Sequence, residues 1–324
     1  MNIIGIRKWA LGFSSLLVLG SIVLLLIPPA LTPGIDFKGG AALTLEFHES
    51  VQPHDVEAKL GSIGHGNAIV QPSIEGNRTY GQRYFIRLGD LEPEVRGNDG
   101  VLIDRGGRGV VEDALIELSP LTVKGFDEVS AVIAGENVTN AIVAVLVATV
   151  LIMLYVTWAF RRVPSPFRYG TAAIIALVHD TVIVLGLFSL LGKVIDLEVN
   201  AMFITGVLTV IGYSVNDTIV VFDRVRENVL RFPASSIGEV VNLSVHETVG
   251  RSLNTSLTIL VVVVTLLLLA STSIQPLLYV LAAGVIVGTY SSIFIATLTL
   301  VAWENGEIGA AFSRIPLIGR RRTT

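Results

Sequence analysis

The sequence predicts an α-helical integral membrane protein with six transmembrane helices and an α+β domain between the first two. Three observations support this prediction. Hydrophobic residues make up 52% of the 324 residues, charged residues make up 15%, and the mean hydropathy is +0.69. A soluble domain carries about 25% charged residues. Six apolar runs can each cross a bilayer, and a polar segment, 32–140, separates the first run from the second.

Each apolar run spans about 27 Å or more as a helix, which is enough for the hydrocarbon core of a bilayer. The first run has no charged residue and ends at Pro28-Pro29. It is longer than the roughly 7–15 apolar residues of a signal peptide, so we interpret it as a retained anchor. The runs are 9–27, 141–160, 169–191, 200–222, 253–270 and 276–303.

Positive charge is concentrated on one side of the predicted helices. The loop 192–199 has one lysine against two acids, and the loop 271–275 has no charge. Short cytoplasmic loops are the ones enriched in Lys and Arg, so we expect both termini in the cytoplasm and the long polar segment outside. The cytoplasmic cations are Arg7, Lys8, Arg161, Arg162, Arg168, Arg224, Arg226, Arg231, Arg314, Arg320, Arg321 and Arg322.

The outer segment shows the order β-α-β-β-α-β, which is typical of a ferredoxin-like domain. The predicted elements are a strand at 41–47, a helix at 53–63, strands at 68–74 and 83–88 around a turn at Gly76-Asn77, a loop at 89–109, a helix at 110–118 and a strand at 121–129. The chain then divides into a cytoplasmic N-terminus with the first helix (1–31), an extracytoplasmic ferredoxin-like domain (32–137), a bundle of helices two to six (138–304) with a cytoplasmic amphipathic segment (236–250), and a basic cytoplasmic tail (305–324).

Two acids lie within the apolar runs. Asp217 is near the cytoplasmic end of the fourth run, and Asp180 is near the middle of the third. A charged residue at membrane depth costs about 2.5–3.5 kcal/mol on insertion scales and marks a functional site by default. Burial favours the neutral form of a carboxyl group and a nearby cation favours the charged form. An acid that alternately meets and loses Arg251, which lies just before the fifth run, would therefore change protonation; static pairing is the alternative.

Asp180 has two interpretations, a role in coupling or a role in helix packing through hydrogen bonds to Asn216 or Thr218. Its neighbour His179 is about 100° away around the helix and is either an interior histidine or part of a relay. The chain has no cysteine, and His48, His54, His65 and His246 show no metal-ligand pattern. We therefore expect neither a metal nor another cofactor.

Several motifs and their order resemble a known family. Residues 34–40 read Gly-Ile-Asp-Phe-Lys-Gly-Gly and include Asp36, Gly39 and Gly40. Residues 211–228 read IGYSVNDTIVVFDRVREN, with Asn216, Asp217, Asp223 and Arg224. His179-Asp180 and the stretch 251–256, RSLNTS, lie on the third and fifth runs. Together they resemble SecF proteins of the SecD/SecF family, within the resistance-nodulation-division superfamily. The stretch Val129-Ser130-Ala131 departs from the Val-Gly-Pro that the family often has before its second helix.

The resemblance implies a function and its partners. It implies a multi-pass protein of the bacterial inner (cytoplasmic) membrane, one six-helix half, which works with SecD and uses the proton-motive force to help move exported polypeptides outward. It implies proton coupling through Asp217 and Arg251, with Asp180 as a further candidate. The implied partners are SecD, the SecYEG translocon, YajC or YidC, the exported unfolded polypeptide and membrane lipid; the net charge of −4 gives no reason to expect nucleic acid.

Two other classes of function are kept as alternatives. Half of a small-molecule exporter of the same superfamily would need larger outer domains with substrate pockets. An intramembrane aspartyl protease would need two acids that share a proton, and the Gly-x-Gly-Asp pattern of such proteases is absent. We therefore expect no enzymatic activity. Coupling to sodium ions stays open, since an aspartate can serve either ion.

Overall fold

Long helices account for most of this computed structural model, which describes residues 3–73, 82–96, 102–269 and 272–307. Within these ranges, six helices are long and apolar enough to cross a membrane. They are α1 (Arg7–Leu26), α5 (Ala131–Ala159), α6 (Pro166–Ile195), α7 (Ala201–Arg231), α8 (Ile237–Leu269) and a last span made of α9 (Gln275–Ser291), a π-helical segment (Ser292–Ala296) and α10 (Thr297–Glu304). The predicted turn at Gly76-Asn77 and the arginines of the basic tail lie outside the described residues.

The helices extend beyond the apolar runs because caps and polar turns decide where they begin. The hydroxyl of Ser130 accepts from the backbone N–H of Ile133, so α5 starts about three turns before its apolar run. Asn200 caps α7 in the same way, with 3.0 Å between its side-chain oxygen and the N–H of Phe203.

The amphipathic segment 236–250 is not a separate interfacial helix, which corrects the sequence interpretation. It forms the first turns of α8, which continues without a break into the fifth span. Its apolar residues Val240, Val241 and Val245 are buried against the bundle. An apolar stripe packs on protein in the same way as it would on lipid, so its sequence cannot distinguish the two.

A four-stranded antiparallel sheet and two helices form the domain between α1 and α5. Its elements are β1 (Gly40–Phe47), α3 (Pro53–Ser62), β2 (Ile69–Ser73), β3 (Gln82–Leu88), α4 (Gly106–Ile116) and β6 (Leu121–Val129), after a short helix, α2 (Ile35–Lys38). The strand order is β2-β3-β1-β6, so the first and third strands are central. One core joins the sheet to its helices, with Leu43, Leu45, Tyr84, Leu60 and Leu115 among its members. The region predicted as one loop, 89–109, also contains a small pair of strands, β4 (Val95–Arg96) and β5 (Leu102–Asp104).

The bundle is centred on α7, which packs against α6, α8 and α9. Glycines allow the approach of α9, as the small-xxx-small spacing of Gly284 and Gly288 predicts. A Cβ atom on Gly284 would lie 2.2 Å from a methyl carbon of Val210, and one on Gly288 would lie 3.1 Å from the Cβ of Ser214. Close contact between these two helices brings the polar residues that they carry into reach of one another.

Candidate functional site

Asp180 on α6 and Asp217 on α7 are both buried inside the helix bundle. Their exposed fractions are 2% and 6%. Among the described residues, neither carboxyl group forms an ion pair with Lys or Arg. Hydroxyl groups on the neighbouring helices contact both acids instead.

Asp180 receives two hydroxyl donors on one oxygen. The Oγ of Ser214 lies 2.6 Å from Oδ2, and the Oγ of Ser291 lies 2.7 Å from it. The other oxygen, Oδ1, lies 2.9 Å from Nδ1 of His179. The prediction that Asn216 or Thr218 forms a hydrogen bond to Asp180 is therefore wrong. The contact from α7 comes from Ser214, about one turn before Thr218.

Asp217 is held by two further serines. The Oγ of Ser252 on α8 lies 2.5 Å from Oδ1, and Ser292 of the π-helical segment donates to Oδ2. A serine hydroxyl can donate to a carboxylate or accept from a protonated carboxyl group. The same set of side chains can therefore satisfy either protonation state of the acid.

A second group of hydroxyls lies one helical turn further along α8 from Ser252, towards the C-terminus of that helix. The Oγ of Ser256 lies 2.7 Å from the phenolic oxygen of Tyr213 and 2.5 Å from Oγ1 of Thr289. Ser252 and Ser256 are four residues apart, so they share a face of α8. Sequence reasoning missed these serines; their spacing within an apolar run was the available signal.

His179 is buried beside Asp180 and stacks on Tyr290. Their ring centroids are 6.3 Å apart, and Nε2 of His179 has no hydrogen-bond partner among the described residues. The hydroxyl of Tyr290 donates to the carbonyl of Ala10 on α1 at 2.9 Å. The imidazole is thus an interior group, with Nδ1 within hydrogen-bond distance of Asp180 and Nε2 without a partner among the described residues.

Arg251 does not contact Asp217 in this structure. Its side chain is exposed, and the described residues offer it no ion-pair partner. Its neighbour in sequence, Ser252, makes the contact to Asp217. Asn216 is also exposed, on the face of α7 that points away from the bundle. Asn216 and Arg251, which are next in sequence to Asp217 and Ser252, therefore face away from the helix bundle.

The charged end of α7 joins it to the start of α8. Nε of Arg224 lies 2.6 Å from Glu247, and an Nη of Arg226 lies 2.6 Å from Asp223 on the same helix. The side-chain amide of Asn228 donates to Glu247 at 2.8 Å. Asp223 and Arg224 thus belong to a surface network outside the group around the two buried acids.

The motif at 34–40 joins the sheet domain to the bundle. The carboxylate of Asp36 accepts from the N–H of Ala201 at 2.8 Å, at the N-terminus of α7, where the helix dipole favours an anion. Gly39 and Gly40 have φ of +83° and +117°, and a Cβ on Gly40 would lie 2.4 Å from the carbonyl oxygen of Leu88. Only glycine fits this connection into β1.

A buried ion pair reinforces the same junction. Arg87 of β3 pairs with Glu198 of the loop between α6 and α7, and Arg87 is 7% exposed. Burial lowers the pKa of Arg87 to about 10. The backbone of Gly34 also bonds to that of Val199 at 2.8 Å, in a parallel bridge next to Pro33.

The arrangement of the two acids differs from an aspartyl protease dyad. Within the described structure no hydrogen bond joins the carboxyl groups of Asp180 and Asp217, and each has its own pair of serines. A dyad requires two carboxyl groups that share one proton. The described residues also contain no group of three His, Cys, Asp or Glu placed to hold a metal ion.

Comparison with known proteins gives consistent matches. The family described as "Protein export membrane protein SecD/SecF, C-terminal" matches residues 110–306. A protein translocase subunit SecF of Thermobaculum terrenum is 39% identical over 324 residues, covering 96% of this chain and 97% of the relative. A protein translocase subunit SecDF of Thermus thermophilus is 34% identical, covering 84% of this chain and 34% of that protein.

A crystal structure of SecDF, a translocon-associated membrane protein from Thermus thermophilus, has a similar fold. The TM-score is 0.78 at 31% identity, and the match covers 94% of this chain. A second SecDF crystal structure, in a super-membrane-facing form, gives a TM-score of 0.66 at 30% identity. The chain spans 39% of the first SecDF chain and 40% of the second.

Proposed function

Because the chain belongs to the SecD/SecF family, among its SecF subunits, we propose that it couples the proton-motive force to outward movement of exported polypeptides, together with SecD. Members of this family are accessory subunits of a protein translocase, and the six apolar helices make the chain a multi-pass bacterial membrane protein. The proposal adds the energy source, the partner and the residues that couple them.

The observation that carries the proposal is a pair of buried acids that contact serine hydroxyl groups and, among the described residues, no Lys or Arg. A permanently ionised carboxylate at membrane depth is costly without a charged partner. Serine hydroxyls stabilise the ionised form as donors and the neutral form as acceptors. Such a setting supports an acid that gains and loses a proton during a working cycle, with Asp217 as the principal site and Asp180 as the second.

The exposed side chains of Asn216 and Arg251 support a partner in the membrane. A polar or charged side chain that faces lipid costs free energy, although less near the end of a span, where Arg251 lies, than at the bilayer centre, and a second set of helices would remove this cost. The SecDF relatives are more than twice as long as this chain. We propose that membrane helices of SecD cover the surface of α7 and α8 that carries these two residues, and that Arg251 meets an acid in another state of the cycle.

The sheet domain is proposed to be ferredoxin-like and to lie outside the membrane, with both chain termini in the cytoplasm. The β2-β3-β1-β6 order and the two covering helices support the fold, and the arginine-rich short loops support the orientation. We propose the division 1–31, 32–137, 138–304 and 305–324 on the same grounds. The exported polypeptide and the SecYEG translocon, with YajC or YidC, are the proposed functional partners.

The test replaces Asp217 by asparagine, which keeps the size of the side chain and removes its proton. Asp223→Asn is the matched control, because Asp223 is an exposed acid further along the same helix. We expect Asp217→Asn to abolish gradient-driven export while the amount of the chain and its copurification with SecD stay unchanged. The control should export normally. Wild-type export with Asp217→Asn would reject the proposal, and imposing proton and sodium gradients separately would identify the ion.

A further inference from the structure

Two consecutive serines contact the two buried acids from a single helix turn. Ser291, the last residue of α9, donates to Asp180 on α6, and Ser292, the first residue of the π-helical segment, donates to Asp217 on α7. Consecutive residues on a helix point about 100° apart, so one turn can contact two different helices. π-helical turns occur mostly as single insertions at functional sites, and this one begins at the second serine.

Ser291 and Ser292 differ from Ser214 and Ser252 because each has a backbone carbonyl as a second possible acceptor. The Oγ of Ser291 lies 3.2 Å from the carbonyl oxygen of Gly288, and the Oγ of Ser292 lies 3.1 Å from that of Thr289. Among the described residues, the side-chain hydroxyls of Ser214 and Ser252 form hydrogen bonds to the acids alone. Each acid thus has one donor directed only at it and one donor with a backbone alternative.

A serine hydroxyl has one proton and can donate it to only one acceptor at a time. When the acid is ionised, the hydroxyl donates to the carboxylate. When the acid is protonated, its own O–H can donate to the serine oxygen, and the serine proton can turn to the backbone carbonyl. The serine hydroxyl and the carboxyl group therefore each keep a partner in either state, which avoids a cost of about 1–3 kcal/mol per group.

We propose that Ser291 and Ser292 form one hydrogen-bond switch that couples the titration of Asp180 to that of Asp217. When either acid gains or loses a proton, the hydroxyl of its serine changes between donating to the acid and donating to the backbone carbonyl. Because both serines belong to the helix turn between Gly288 and Ser292, a change at one hydroxyl affects the geometry of the other. The two serines are positioning residues for the coupling described above, so this inference rests on the proposed function.

Few other titratable groups face this pair of acids. His179 on α6, Tyr213 on α7 and Tyr290 on α9 lie around them. Arg251 on α8 faces outward. Within the described residues, α1, α5 and α10 place no charged side chain in an ion pair or a hydrogen bond with either carboxyl group. Among the described residues no Lys or Arg bridges the two carboxyl groups, and the consecutive serines Ser291 and Ser292 contact one acid each.

The test measures the carboxyl C=O stretching bands of the full chain with SecD in lipid vesicles, by infrared difference spectroscopy over a range of pH. Asp180→Asn and Asp217→Asn assign the bands. In the otherwise unaltered protein, we expect Asp180→Asn to move the pH at which the Asp217 band is half developed by about one unit, as for strongly interacting sites. With Ser291→Ala and Ser292→Ala combined, this shift should disappear, and the Asp217 band should change frequency.

Two controls separate the switch from a general packing effect. Thr297→Val removes a buried hydroxyl on the same span that bonds only to the backbone carbonyl of Ile293, so it should leave the shift intact. Replacing both serines by threonine keeps the hydroxyls and should restore it. A shift that persists in the double alanine variant would overturn the inference. The export result for Asp217→Asn is independent of this outcome, so the proposed function and the switch fail separately.

Discussion

Each buried acid has an oxygen that receives a short hydrogen bond from a hydroxyl group. The separations of 2.5–2.7 Å to Asp180 and Asp217 are those of O–H···O⁻ contacts. A hydrogen bond to a charged group contributes about 1.5–3 kcal/mol, so two of them are comparable with the cost of placing a carboxylate at membrane depth. The acids can thus be held in the bundle without a permanent cation, which leaves their charge free to vary.

Arg251 is predicted to act in a state that differs from the one described here. Arg251→Met should impair export nearly as much as Asp217→Asn, and Arg251→Lys should retain part of it, because an ammonium lacks the planar fork of the guanidinium. The double variant should be little worse than either single one, as for residues that act as a unit. The measurement is the export rate of the three single variants and the double variant, each compared with the unaltered protein.

Arg231→Met is the matched control, since Arg231 is a cation at the C-terminal end of α7 that stacks on Phe232. It should have little effect on export. If the losses for Arg251 and Asp217 multiply independently, the two residues do not act together, and Arg251 belongs to membrane anchoring instead.

At the scale of elements, the sequence predicted the apolar runs well and their polar continuations poorly. The length of an apolar run alone identifies a membrane span, because a helix needs about 20 apolar residues to cross the hydrocarbon core. The segment 236–250 was separated from α8 because an amphipathic pattern does not tell whether its apolar side meets lipid or protein. The two acids were found because charge is rare in such runs, whereas Ser214, Ser252, Ser291 and Ser292 were missed because serine is common in membrane helices.

The ion pair between Arg87 of β3 and Glu198 of the loop before α7 can be tested for its role in holding the sheet domain on the bundle. Glu198→Gln removes the ion-pair partner of the buried Arg87 and leaves only the weaker influence of Asp196, so we expect local opening there to become easier by up to about 3–5 kcal/mol. Arg87→Met combined with Glu198→Gln should be less harmful than Glu198→Gln alone, because no charge is left unpaired. Hydrogen exchange of β3 and of residues 196–200 measures the effect.

Glu128→Gln is the control for this change, because Glu128 is an exposed acid that lines the same cavity of about 370 Å³ between sheet and bundle. Its exchange rates should match those of the original protein. Unchanged exchange with Glu198→Gln would show that the ion pair does not hold the junction closed.

For the whole molecule, the arginine distribution predicts that the sheet domain and the two termini lie on opposite sides of the membrane. The chain has no cysteine, so single cysteines can report on sidedness. A membrane-impermeant thiol reagent added to intact cells, with any outer membrane permeabilised, should label a cysteine in place of the exposed His54 on α3. It should spare one in place of Arg231 until the membrane is opened. Labelling at Arg231 in intact cells would overturn the orientation.

The sheet domain is attached at the N-terminal end of α7, so a movement of this helix would also move the domain. Asp217 lies about 16 residues from Ala201, or ~24 Å along the helix. A tilt of about 10° around the acid, comparable with known hinge and shear movements, would displace the N-terminal end of the helix by about 4 Å. Because Asp36 and Glu198 both join the sheet domain at this point, the domain would be carried with it. If a change of protonation at Asp217 tilts α7, a small rearrangement of protons and hydroxyls inside the bundle would move the sheet domain by several ångströms.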